Sequence, residues 1–458
     1  MCISLVLCSC SQGNSSTFES DAEDVSSDKG AESYDESQPE AQTWKEKFDI
    51  KERVTKTVSE TMELLEQDSS FDIDDETVGE DISRLYEFTN KTGCYPVYKS
   101  SQIKYYPMGE QAFEAMLEEL EKAESFIFFE YFIVNEGQMW DKVYDVLKRK
   151  ASQGVEVRVM YDGLMDGISL PEDFPKRLEA DGIKCHVFSS FNGEGTLNTR
   201  DHRKILIIDG KTTFTGGMNI ADEYVNITHP YGIWKDNAIM IKGKAVESFT
   251  IMFLQIWCAY EAELDTEGYI NITDTEPEDD GYIMPFAENP FDEYAVAKSF
   301  YISILDTAKD YVYIITPYLL PDSELEGAII SAAQRGVDVR VYLPSVTDMQ
   351  AAKYLNKTHY RALLNSGVRI FEYNKGFVHS KAFLSDDIKS IVGTINLDNR
   401  SLVFHFECAA YIYKSDVIDE IKKEFTDNND DYTEITVDDL DSWSEAGGYI
   451  LKGFEGLL

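Results

Sequence analysis

The 458-residue sequence is short of positive charge, with 42 lysines and arginines against 84 aspartates and glutamates and a formal net charge of −42. That deficit argues against non-specific nucleic-acid binding, because attraction to phosphates needs a basic footprint. It leaves room for an anionic small substrate, since a few lysines in a cleft reverse the field locally. Cysteine patterning is also missing. Cys2, Cys8, Cys10, Cys94, Cys185, Cys258 and Cys408 form no CxxC pair, no Cys/His metal spacing and no disulfide framework. The four beyond residue 50 read as buried thiols. No apolar run reaches the ~18 residues of a membrane-spanning helix. SFIFFEYFIV (125–134) is too short and carries Glu130, so it reads as a core strand.

Apolar residues make up 43% of the chain and aromatics 12%, ample for packed cores, and the length suggests two domains of ordinary size. At the N-terminus, Leu7-Cys-Ser-Cys10 resembles a lipobox, which implies an acylated Cys10 and a lipid-anchored protein. A basic segment before it is lacking, so a mis-started chain is the alternative. The organisation expected is a signal and acidic disordered tether over 1–44, then an acidic, partly helical and solvated arm over 45–94. Two α/β repeats follow, over 95–276 and 277–458, parted in the acidic loop TDTEPEDDG (273–281).

The repeats show as four correspondences in the same order. GVEVRVMYD (154–162) follows an amphipathic segment, as GVDVRVYLP (336–344) does. GIKCHVF (182–188) answers GVRIFEY (367–373), and HRKILIIDGKTTFTGGMN (202–219) answers HSKAFLSDDIKSIVGTIN (379–396). Helices alternating with short β-branched strands give each copy an α/β architecture.

Both copies fit H-x-K-x4-D-x6-G-x-x-N: His202, Lys204, Asp209, Gly216, Asn219 and His379, Lys381, Asp386, Gly393, Asn396. Residues at i and i+2 on a strand share a face, so each histidine and lysine project together. The aspartate lies at an odd offset, and Asp209-Gly210 is a hairpin-turn pair. It reads as a turn anchor or salt-bridge acceptor rather than a direct catalyst. The returning strand should carry Asn219 back toward His202 and Lys204. Histidine, lysine and asparagine then form a trio suited to attack on a phosphate: a nucleophile or base, a fixed cation and an amide donor. Two copies facing across a pseudo-twofold offer two histidines, one to attack phosphorus and one to shuttle the proton. Each needs an orienting carboxylate on its other ring nitrogen. Glu407 is the candidate within repeat two, and Asp236 the candidate within repeat one. Metal binding is disfavoured, because lysine stands where a second ligand would be. His186, His229, His359 and His405 lack this context and receive no role.

These paired motifs resemble the HKD signatures of the phospholipase D superfamily. FFEYFIV (128–134), GVEVRVMYDGLMD (154–166), LNTRDHRKILIIDGKTTFTGGMNIADEY (197–224), GIWKDNAIMIKGKAV (232–246), TPYLLPD (316–322) and VHSKAFLSDDIKSIVGTINLDNRS (378–401) narrow the resemblance to bacterial cardiolipin synthases. It covers about residues 95–458. It implies two tandem phospholipase D-like α/β/α repeats with the active site between them, and His202, Lys204, Asp209, His379, Lys381 and Asp386 as the catalytic set. It further implies two phosphatidylglycerol molecules joined at a membrane surface into cardiolipin and glycerol, through a phosphohistidine, without a cofactor. His202 takes the nucleophile role and His379 the acid/base role on this resemblance alone. Hydrolysis, transfer to another alcohol and, more distantly, nuclease activity are the rivals. Three features differ from the family pattern, the first being an overall acidity unusual for an enzyme of anionic lipids. The lipobox and acidic tether stand where two transmembrane helices are usual, and Asp348-Met349 stands where an Asp-His pair is usual.

Overall fold

The computed structural model describes residues 50–66, 85, 95–99, 101–166, 169–188, 198–261, 263–272, 281–427, 429–441 and 452. The lipobox with Cys10, the tether, Cys94 and the boundary loop at 273–280 lie outside the described residues. Val54–Leu458 forms one compact unit. Among the described residues, no helix is long and apolar enough to cross a membrane.

The arm expected to be solvated contains helix α1 (Ile50–Glu66), one face of which is buried at Val54, Thr57 and Thr61. Polar bonds explain the difference. The Thr57 hydroxyl donates to the Gln255 carbonyl at 2.6 Å, and the Gln255 amide donates to Thr61 Oγ1 at 2.9 Å.

The first half runs β1 (Tyr98–Lys99), β2 (Gln102–Tyr106), α2 (Gly109–Leu120), β3 (Phe126–Tyr131), α3 (Gln138–Ser152), β4 (Glu156–Asp162), α4 (Phe174–Ala180), β5 (Lys184–Phe188), β6 (Arg200–Asp201), β7 (Lys204–Ile208), β8 (Thr212–Gly216), β9 (Ile233–Lys235), β10 (Ala238–Lys242) and α5 (Val246–Trp257). The second runs β11 (Tyr282–Glu288), α6 (Val296–Thr307), β12 (Tyr311–Ile315), α7 (Ser323–Gln334), β13 (Asp338–Pro344), α8 (Gln350–Asn365), β14 (Arg369–Tyr373), β15 (Gly376–Val378), β16 (Ala382–Ser385), β17 (Lys389–Gly393), β18 (His405–Tyr413), α9 (Val417–Thr426) and β19 (Tyr432–Ile435).

The sheets repeat one another strand for strand. The first is ordered β2-β10-β8-β7-β3-β4-β5, and the second contains β11-β18-β17-β16-β12-β13-β14, extended by β1 at one edge and β19 at the other. In each, three neighbouring strands are parallel and the rest antiparallel. Parallel neighbours need a crossover, and α3 and α7 provide it between β3 and β4 and between β12 and β13. The chain is thus a mixed α/β protein made of one unit used twice.

Helix α5 is apolar nearly all round, and every residue but Glu247 is buried. It touches β3, β7 and β8 of the first sheet and β11 of the second. A helix buried on all sides is expected between layers rather than on a surface. Strand β3 is fully buried, as its sequence suggests, and includes Glu130. The carboxylate is tolerated because Arg203 donates to it at 2.5 Å. Arg203 also donates to Asp201 at 3.1 Å and to the Met252 carbonyl of α5 at 2.8 Å. Cys185, Cys258 and Cys408 are free, buried thiols.

Candidate active site

The two motif aspartates sit at the far ends of their strands from the histidines. Asp209 and Gly210 both have positive φ, 54° and 62°, and Lys211 N–H closes a tight turn on the Ile208 carbonyl at 3.0 Å. Asp386 and Asp387 repeat this at 53° and 58°, with Ile388 N–H on the Ser385 carbonyl at 3.1 Å. Positive φ at both central residues matches the right-handed strand twist, and Asp and Gly accept it most readily. The Asp209 carboxylate accepts the N–H groups of Glu124, Ser125 and Phe126 at 2.7 to 2.9 Å. That of Asp386 accepts those of Lys309, Asp310 and Tyr311, each at 2.9 Å. Each aspartate therefore ties its hairpin to the start of β3 or β12, about 20 Å of strand from its histidine. Neither meets the reacting end of the site.

His202 lies just ahead of β7 and His379 just ahead of β16, both 6% exposed. Their carboxylate partners are exchanged between the halves. His202 Nδ1 lies 2.8 and 2.9 Å from the two oxygens of Glu407, and His379 Nδ1 lies 2.7 Å from Asp236 Oδ2. The expectation that Asp236 serves repeat one and Glu407 repeat two is thereby corrected. The cause is backbone pairing across the halves. His202 N–H donates to the Phe406 carbonyl at 2.9 Å, beside the β6–β18 pairing, and the next residue is Glu407. His379 N–H donates to the Lys235 carbonyl at 2.7 Å, beside the β9–β15 pairing, and the next residue is Asp236.

The environments of the two carboxylates differ. Thr394 donates its hydroxyl to Glu407, while Asp236 Oδ1 accepts the Asn237 N–H at 2.9 Å. Gly217 occupies in repeat one the motif position of Thr394. A Cβ there would come within 2.1 Å of Asp236 Oδ1 and 2.7 Å of the His379 carbonyl, so only glycine permits this approach. Asn237 also clamps Lys381, accepting its N–H at 3.2 Å.

Burial holds the His202 imidazole well below the ordinary histidine range despite Glu407 beside it, and Lys204 adds to the depression. Burial and Lys381 lower His379 in the same sense, against Asp236. Glu407 resists burial, because His202 keeps its carboxyl far below the usual carboxylate range. Burial brings Lys204 down to about 7 and Lys381 down to about 8. Lys204 feels Lys381, Glu407 and Asp236, and His379 feels Lys204, so both motifs share one electrostatic neighbourhood. Each lysine turns back on its own histidine: Lys204 Nζ donates to the His202 carbonyl at 2.5 Å, and Lys381 Nζ to the His379 carbonyl.

The asparagines behave unlike one another. Asn219 Oδ1 accepts Ile133 N–H at 3.0 Å, and its amide donates to the Tyr224 hydroxyl at 2.9 Å. It thus braces walls of the site, for Phe132 stands edge-on to His202 at 4.8 Å and Tyr224 edge-on to His379 at 5.4 Å. Asn396 is 5% exposed, and its Oδ1 has no hydrogen-bond partner among the described residues. Asp348, at the departure from the family pattern, accepts the Tyr318 hydroxyl at 2.8 Å.

His405, given no role from the sequence, has its ring 5.4 Å from that of His202. Its signal was its place two residues before Glu407, which puts both on one face of a strand. Thr394, Gly217 and Asn237 were not foreseen, because their work depends on pairing between halves.

Two buried imidazoles, each fixed through Nδ1 by an acidic partner and flanked by a lysine, make a phosphoryl-transfer type of site on a duplicated α/β unit. That combination is the phospholipase D-like class. Residues 116–257 and 301–428 match the family described as cardiolipin synthase, PLD-like domain. A cardiolipin synthase 2 of Bacillus anthracis is 33% identical, over 77% of this chain and 70% of its own length. A cardiolipin synthase of Geobacillus thermodenitrificans is 34% identical, over 75% and 69%. An uncharacterised protein of Streptococcus mutans is 48% identical, over 74% of each chain. The crystal structure of phosphatidylserine synthase from Haemophilus influenzae shares the fold, with a TM-score of 0.65 over 83% of this chain and 100% of that one at 13% identity. The chain belongs to the phospholipase D-like cardiolipin synthase family and is a phosphatidyltransferase.

Proposed function

We infer that the protein joins two phosphatidylglycerol molecules into cardiolipin, releasing glycerol. The observation carrying this reading is the pair of crossed histidine–carboxylate contacts. Each fixes a ring through Nδ1 and so assigns the chemistry to Nε2. His202 Nε2 attacks the phosphorus of the first phosphatidylglycerol, forming a P–N bond as the P–O bond to the headgroup glycerol breaks. His379, protonated at Nε2 for this step, gives that glycerol its proton and is left neutral. The same His379 then removes a proton from the headgroup hydroxyl of a second phosphatidylglycerol, whose oxygen displaces His202, leaving His202 neutral and His379 protonated as at the start. Lys204 and Lys381 hold the non-bridging oxygens as charge grows on them, and Asn396 offers an amide to the same group. Asp209 and Asp386 act only by pinning the hairpins. No metal or cofactor enters these steps.

The excess of acidic over basic residues speaks against a nucleic-acid substrate. The reading has the enzyme working at the bacterial cell membrane, held peripherally or through Cys10. Incubating purified protein with defined phosphatidylglycerol and weighing the products tests it. Cardiolipin and glycerol are expected from the wild type and from neither His202→Ala nor His379→Ala. Phosphatidic acid alone would make the enzyme a hydrolase.

A further inference from the structure

His405 stands beside the first histidine–carboxylate pair and has no part in the steps above. It is 7% exposed, and its Nδ1 has no hydrogen-bond partner among the described residues. Nδ1 faces Glu407 Oε1 at 3.6 Å, too far for a hydrogen bond and near enough to share a third group. His202 Nδ1 approaches the same oxygen at 2.8 Å. Donor atoms of His202, His405 and Glu407 all lie within 4.8 Å of one another.

The 3.6 Å separation of His405 from Glu407 suits a bridging ion better than a direct contact. A tetrahedral ion with ligands about 2.0–2.1 Å away sets its donors roughly 3.3 Å apart. The two contacts at 2.8 and 3.6 Å fall on either side of that spacing. Two imidazoles and one carboxylate are a borderline-soft donor set, which favours zinc-like ions over magnesium or calcium. Lys204 carries the opposing charge, and its Nζ is turned onto the His202 carbonyl.

We propose that His202, Glu407 and His405 bind a zinc-class divalent ion, and that the ion switches the transferase off. The bound ion takes the nitrogen and the carboxylate that orient His202 and places two positive charges beside the nucleophile. Its ring then loses both alignment and electron density. The inhibition rests on the proposed phosphatidyl transfer; the binding does not.

The test uses the full chain stripped by a chelator and titrated with Zn2+, and separately with Co2+. Expected are one zinc site per chain, visible d–d bands of four-coordinate cobalt, and zinc affinity weakened tenfold or more in His405→Asn and His405→Gln. X-ray absorption on the wild-type zinc form should show two imidazoles and an oxygen ligand. In turnover, added zinc should inhibit the wild type and spare both variants, which remain active in chelator. Absence of zinc binding, binding equal in wild type and both variants, or an oxygen-only or sulfur-containing shell overturns the site. Binding with these features but inhibition unchanged by the His405 substitutions overturns the switch. Failure of the transfer reading alone leaves the titrations and the absorption spectrum to decide the site.

Discussion

His202 and Glu407 are 205 positions apart and share a contact of 2.8 Å through Nδ1, while His379 makes the matching contact at 2.7 Å with Asp236, 143 positions earlier. Each histidine is oriented by the opposite half of the chain.

Exchange of partners makes the two carboxylates separable by kinetics. Glu407→Gln should impair formation of the covalent intermediate, and Asp236→Asn the proton transfers, each lowering kcat by about 10²–10⁴-fold. Rapid-quench single turnovers with labelled phosphatidylglycerol, with the labelled peptide identified, measure this. Label on the 379 peptide rather than the 202 peptide would reverse the roles of the histidines.

The lysines set the alkaline limit. Protonated Lys204 and Lys381 are needed to hold phosphate, and burial brings them to about 7 and about 8. kcat/KM should therefore fall as pH rises through 7 to 8, while the nucleophile His202 remains neutral down to well below pH 6.5. Bound phosphate favours the protonated lysines, so the fall in kcat should come at higher pH. Unfolding does not explain the loss. Between pH 7 and about 10.4 the unfolded chain holds more lysine protons than the folded one, so these two groups make the fold more stable as pH rises. Parallel rate and denaturation profiles, with Lys204→Met and Lys381→Met as controls, check both signs.

Asp209→Ala removes the acceptor for three backbone N–H groups. A cost of about 2–4 kcal/mol is expected, seen as a lower Tm. The kcat of the remaining folded protein should stay within about threefold of wild type, since the carboxylate lies at the other end of the strand. A thousandfold loss in a fully folded variant would return the aspartate to the chemistry.

Arg203→Met strands Glu130 by removing the guanidinium that donates to it at 2.5 Å. Removing one partner from such a pair costs about 3–5 kcal/mol. Adding Glu130→Gln should recover much of that in urea melts. An additive double variant would show that the two side chains are not coupled.

Much of the fold was legible because its signals are local and occur twice. Alternating apolar strands and the matched glycine-headed segments mark the α/β unit, and Asp209-Gly210 marks its hairpin. Glu130 inside an apolar strand was visible, but its partner was not: Arg203 faces away from His202 and Lys204 along the same motif. The carboxylate assignments failed for a related reason. Spacing along the chain cannot report that β6 pairs with β18, or β15 with β9. His405 belongs to no HxK pattern; the periodicity that places it is its position two residues before the buried Glu407.

The Phe406 and Lys235 carbonyls each receive a histidine N–H from the other half. A unit whose histidine is aligned only by a neighbour's strand has no self-sufficient monomeric form. The two halves are therefore mutually dependent: displacing β18 misaligns the imidazole of the first motif, and displacing β9 misaligns that of the second.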